Sequence, residues 1–76
     1  MRFENIDCHI RLGLKVAYYR RIREITQRQL AAAIGRDISH VGALEAPNVA
    51  RAISVGALFD ISRALGVPAY KLLYDQ

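Results

Sequence analysis

Residues 26–45 read TQRQLAAAIGRDISHVGALE, and their spacing predicts two short helices joined by a tight turn. Thr26, followed three residues later by Gln29, has the form of a capping box, in which each side chain satisfies the other residue's backbone N–H. Ile25 and Leu30 stand at the two positions of a hydrophobic staple around it. The helix that follows, over 27–34, is rich in strong helix formers such as Leu30 and the run Ala31, Ala32, Ala33. Gly35 stands where a left-handed residue ends such a helix. Only Gly35 and Arg36 precede Asp37, which can cap a second helix from Ile38 to about Glu45. The alanines at 31–33 read as a small surface on which the two helices approach closely.

Upstream, apolar residues recur three and four apart in a long basic helix. It is expected to start near Asp7 and to run through Ile10, Gly13, Leu14, Val16 and Ala17 to about Arg23. Downstream, Pro47 and Asn48 break the pattern, and 46–53 reads as a loop. Ser54 caps a fourth helix, with Ile53 and Leu58 as its staple, Leu58, Ile61 and Leu65 as its buried stripe and Gly66 as its stop. Pro68 suits the start of a short fifth helix, Ala69 to Tyr74. Period-2 alternation is nearly absent, so the expected fold is all-α, with five helices in one domain over 1–76.

Composition narrows the function. Apolar residues make up 53% and charged residues 24% of the 76, the balance of a chain that folds. No apolar run approaches the roughly 18 residues of a membrane span, and residues 1–10 lack the apolar core of a signal peptide, so the expected location is the cytoplasm. Cys8 is the one cysteine, which excludes an internal disulfide, and with His9 and His40 it makes no ligand set for a closed zinc site. Nothing resembles a nucleophile with its base. The expectation is therefore a non-enzyme without cofactor or metal.

The net charge of +4 is unevenly spread. From Arg11 to Arg36 seven basic residues (Arg11, Lys15, Arg20, Arg21, Arg23, Arg28, Arg36) face one acid, Glu24, for a local charge of +6; the rest of the chain carries −2. A basic zone concentrated in a small domain suggests a polyanion partner, most often nucleic acid.

The stretch from Thr26 to Glu45 resembles the helix-turn-helix of the phage repressor and Cro family, also called the Xre type. The resemblance rests on a T-Q-x-x-L-A opening (Thr26, Gln27, Leu30, Ala31), the turn glycine Gly35 and a glutamate ten residues later, Glu45. Gly13, Val16 and Arg20 upstream fit the family's pattern, as do Leu58, Ile61, Ala64, Leu65, Gly66 and Val67 downstream, so it covers about 10–73 and leaves 1–9 as an N-terminal extension. It implies a lambda-repressor-like domain whose first motif helix sits across the DNA backbone while the second lies in the major groove.

The resemblance implies roles residue by residue. Gln27 would contact phosphate, Arg28 and Arg36 would attract the backbone, and Arg51 in the loop could reach phosphate. Base edges would be read from Ile38, Ser39, His40 and Ala43, a set short of the Arg, Asn or Gln that make bidentate contacts. Arg20 and Glu45 look like the family's partly buried ion pair between helix one and the recognition helix. Tyr19 holds an apolar position, leaving the adjacent Tyr18 exposed or at an interface. The chain departs from the family at Gly42, where serine or threonine is usual, at Arg36, usually apolar, and in a loop after Glu45 that is longer by about two residues. Close packing at Gly42 would offset its poor helix propensity.

The reading of the sequence is thus a small transcriptional regulator, a repressor, that binds double-stranded DNA as a homodimer. Tyr70, Leu73 and Tyr74, three or four apart on the last helix, would form the dimer strip. The alternative is a protein-interaction module of the same fold, an antitoxin or anti-repressor holding a protein partner, with DNA binding weak or lost.

Overall fold

The computed structural model describes residues 3–46 and 53–73, with side chains from residue 10 onward. Among the described residues five helices follow one another: α1 Phe3–Ile22, α2 Gln27–Ile34, α3 Ile38–Glu45, α4 Val55–Leu65 and α5 Ala69–Leu73. α2 packs against α3 and α4, and α1 lies across α3 and α5. The fully buried side chains come from every helix: Val16 of α1, Leu30 of α2, Val41 and Leu44 of α3, Ile61 and Leu65 of α4, and Leu72 of α5. One shared core is the consequence, because no helix of 5 to 11 residues is stable alone in water.

Local signals place the helix ends. The Thr26 hydroxyl accepts from Gln29 N–H at 3.0 Å and the Gln29 side chain accepts from Thr26 N–H at 2.8 Å, completing the capping box. Asp37 caps α3 and Ser54 caps α4 through their side-chain oxygens. Gly35 and Gly66 adopt left-handed φ values of 69° and 68° at the ends of α2 and α4. In both, the glycine N–H returns to the carbonyl three residues back and the next N–H to the carbonyl five back, a Schellman motif. The staple residues Ile25 and Ile53 pack half-buried against the core that Leu30 and Leu58 enter.

Three expectations need correction. α1 runs from Phe3, so Asp7 lies inside the helix and residues 3–9 of the extension belong to it. With no glycine or proline before Gly13, each added residue gains a backbone bond, and propagation wins over a mid-run cap. Of the three alanines, only Ala31 is buried; Ala32 and Ala33 face solvent because successive helical residues turn through about 100°. Gly42 is not held by close packing: a Cβ there would meet nothing nearer than the Gln27 Oε1 at 3.9 Å. The end of α1 carries a third Schellman motif, closed by Glu24 at φ 57° in place of glycine. Tyr74, Arg51 and the break at Pro47 and Asn48 lie outside the described residues.

Candidate nucleic-acid interface

Glu45, the last residue of α3, joins three helices. Its carboxylate accepts from Arg20 Nε at 2.7 Å and Arg20 Nη2 at 2.9 Å, a bidentate pair between α1 and α3. It also accepts from Gln27 Nε2 at 3.0 Å, which ties the first residue of α2 to the last of α3. The pair is buried, with side-chain exposures of 11% for Arg20 and 5% for Glu45. A third guanidinium N–H of Arg20 donates to the Ile25 carbonyl at 2.9 Å, in the turn that leads into α2. The hydrogen bonds to Glu45 raise the Arg20 pKa against the opposing pull of burial, so the guanidinium stays charged. The two motif helices are therefore fixed to each other and to α1 by charged hydrogen bonds around one carboxylate.

Gly13 brings α1 and α3 together below this cluster. A Cβ built there would stand 1.9 Å from the Leu44 carbonyl oxygen, so the crossing requires a residue without a side chain. Gly13 and Arg20, seven residues and two turns apart, contact the same end of α3.

On α3, Val41, Leu44 and Glu45 face inward, while Ile38 and Ser39 are exposed and Gly42 and Ala43 are half-exposed. The Ser39 hydroxyl donates to Asp37 Oδ2, which also accepts the Ser39 N–H at 3.0 Å. These bonds hold the Asp37 carboxyl below the usual carboxylate range. His40 is half-buried, and its Nδ1 is buried without a hydrogen-bond partner among the described residues.

The basic zone divides in two. Arg20 is engaged with Glu45, and Arg23 donates from Nε to the Leu65 carbonyl at 2.9 Å and from Nη2 to the Gly66 carbonyl at 3.3 Å. Arg23 thereby satisfies carbonyls at the negative end of the α4 dipole. Arg21, Arg28 and Arg36 are exposed and make no hydrogen bond or ion pair with the described residues. Sequence reasoning missed Arg23 and the Gln27–Glu45 bond. The T-x-x-Q box marks Gln27 as the first residue of α2, and that position beside the end of α3 was the available signal for the bond; Arg23 had none, because its partners lie more than forty residues away.

Tyr70 and Leu73 of the expected dimer strip are exposed on α5, on either side of buried Leu72. Tyr18 is exposed, and Tyr19, half-buried against the core, meets it edge to face at 5.1 Å. No helix among the described residues is long and apolar enough to cross a membrane, and no group of three or more possible metal ligands occurs among them.

Among the described residues, five helices with this capped pair at their centre form an all-α helix-turn-helix fold, and a solved structure of the same fold supports the resemblance to the phage repressor and Cro (Xre) type. The chain is similar to the crystal structure of the restriction-modification controller protein C.AhdI from Aeromonas hydrophila. The TM-score is 0.75 at 25% identity, over 83% of this chain and 92% of that one. No family model and no curated protein sequence matches the chain.

Proposed function

We propose that this chain is a sequence-specific double-stranded DNA-binding regulator of transcription, a repressor, that lays α3 in the major groove. The observation that carries the reading is the outward face of α3, Ile38, Ser39, Gly42 and Ala43, on a pair of helices locked by Glu45. Arg28 and Arg36, exposed and unpaired among the described residues, supply attraction to the backbone that does not depend on sequence. Gln27 keeps a second amide N–H for phosphate beside the one given to Glu45, and Arg51 is assigned the same kind of contact. Similarity to a restriction-modification controller protein supports a regulatory role.

The domain, residues 1–76, acts in the cytoplasm without catalysis or cofactor. It works as a homodimer through Tyr70, Leu73 and Tyr74, since one module of this size buries little DNA and two-fold pairing doubles the contact. A titration of labelled duplex DNA over a range of salt tests the reading. Log affinity should fall linearly with log salt, by roughly 0.9 per neutralised phosphate. Absence of duplex binding at low salt overturns it. Sedimentation tests the dimer: Leu73→Glu should leave a monomer where the parent chain pairs at micromolar concentration.

A second reading, an antitoxin-like or anti-repressor module that grips a protein, is favoured by one observation. Leu14, Tyr18 and Ile22, four apart on α1, form an exposed apolar stripe away from the core. Under this reading duplex DNA binds weakly or not at all.

A further inference from the structure

The groups on the outer face of α3 differ from those that usually read bases. Of the eight residues Ile38–Glu45 none is Arg, Lys, Asn or Gln, the side chains that bond two base atoms at once. The Ser39 hydroxyl spends its proton on Asp37, so its remaining capacity is to accept. His40 has one ring nitrogen buried. Guanine offers the major groove two acceptors, N7 and O6, and meets no bidentate donor here. The face offers carbon instead: the branched side chain of Ile38, 37% exposed, and the methyl of Ala43, with no side chain at Gly42 between them. The apolar group that B-form DNA presents in the major groove is the C5-methyl of thymine.

We propose, resting on the DNA-binding reading above, that α3 selects its site by C5-methyl groups of pyrimidines, with Ile38 and Ala43 as the contacting side chains. The chemistry is burial of a methyl against carbon, and it does not depend on the hydrogen-bond pattern of the base that carries the methyl. Each such contact should change affinity about fourfold, equivalent to the ~0.8 kcal/mol of one buried methylene.

The test begins with duplexes selected by the full chain from a random pool. Each thymine of a selected site is then replaced singly by deoxyuridine, which removes the methyl and nothing else. One or two positions per half-site should lose about fourfold in affinity. At those positions a 5-methylcytosine–guanine pair should bind about fourfold better than a cytosine–guanine pair. Ile38→Ala, checked for folding by circular dichroism, should erase the thymine–uridine difference at one position and keep it at another. Ala43→Gly should erase the second.

Unchanged affinity for every deoxyuridine duplex, with steep salt dependence retained, overturns the methyl reading and leaves the DNA-binding reading standing. So does a selected site in which removal of guanine N7 by 7-deazaguanine costs more than any methyl. Failure to bind any duplex overturns both.

Discussion

Gly13 and Leu44 meet backbone to backbone, so closely that a Cβ on residue 13 would lie 1.9 Å from the Leu44 carbonyl oxygen and 3.0 Å from its carbon. Neither atom can swing aside as the tip of a side chain would. Gly13→Ala must therefore push α1 away from α3 or break the end of α3. A loss of at least about 2 kcal/mol is expected, as for overpacked cores, and a fall in Tm of roughly 10 °C. Thermal melting by circular dichroism checks this, and a near-parental Tm would contradict the close crossing.

Glu45→Ala strands the buried guanidinium of Arg20 and frees the Gln27 amide. Breaking one side of a buried pair costs about 3–5 kcal/mol, and the lower end applies because Arg20 keeps its bond to the Ile25 carbonyl. Chemical denaturation should show this loss. The double variant Arg20→Met with Glu45→Leu should regain much of it, since an apolar replacement leaves no uncompensated charge.

Two glycine exchanges should raise stability. Gly42→Ala adds a methyl in ordinary contact distance of Gln27 and removes a flexible residue from a helix interior, for a gain of about 0.5–1 kcal/mol. Glu24→Gly relieves a left-handed residue that carries a Cβ and should gain up to about 1 kcal/mol. By contrast Gly66→Ala, at φ 68°, should lose about 1 kcal/mol. Denaturation midpoints of the three variants check the signs, and a destabilised Gly42→Ala would show that its space is occupied.

Asp37 makes the capped end of α3 sensitive to acid. Hydrogen bonds from the Ser39 hydroxyl and N–H lower its pKa in the folded chain. A lowered carboxyl contributes stability that is complete above its unfolded pKa, about 3.9, and is lost as pH falls through the folded value. Asp37→Asn keeps a capping oxygen but cannot titrate. The Tm of the parent relative to this variant should therefore fall on going from pH 7 to below about 3. A difference that stays constant with pH would remove Asp37 as the cause.

Attraction and readout should separate in DNA binding. Arg28→Ala removes an exposed charge with no partner among the described residues, so it should weaken all duplexes alike and lower the salt slope by about one unit. Ile38→Ala should instead lower affinity about fourfold at the preferred site and relax preference at one base pair, leaving unrelated duplexes unchanged. Competition titrations with selected and unrelated duplexes distinguish the two patterns.

Much of the fold was legible because its signals are local. The Thr26–Gln29 box, the caps at Asp37 and Ser54 and the stops at Gly35 and Gly66 each involve residues no more than five apart, and each lies where its spacing predicts. The Arg20–Glu45 pair came from resemblance, since no local rule links residues 25 apart. The start of α1 was misread because Asp7 is a good cap wherever a helix begins, and nothing local says that it must begin there.

By itself, then, the sequence determined five helices, their order and most of their ends, through backbone hydrogen bonds completed within a turn or two. Which basic residues are left for a partner was decided only by the tertiary structure. Arg23 and Arg28 look alike in the chain, yet one is bound to the Leu65 and Gly66 carbonyls and the other makes no hydrogen bond with the described residues. The same holds for Gln27, whose amide is half committed to Glu45. The physical reason is that a charge or amide takes the partner packing brings to it, and that packing joins residues 18 to 43 positions apart.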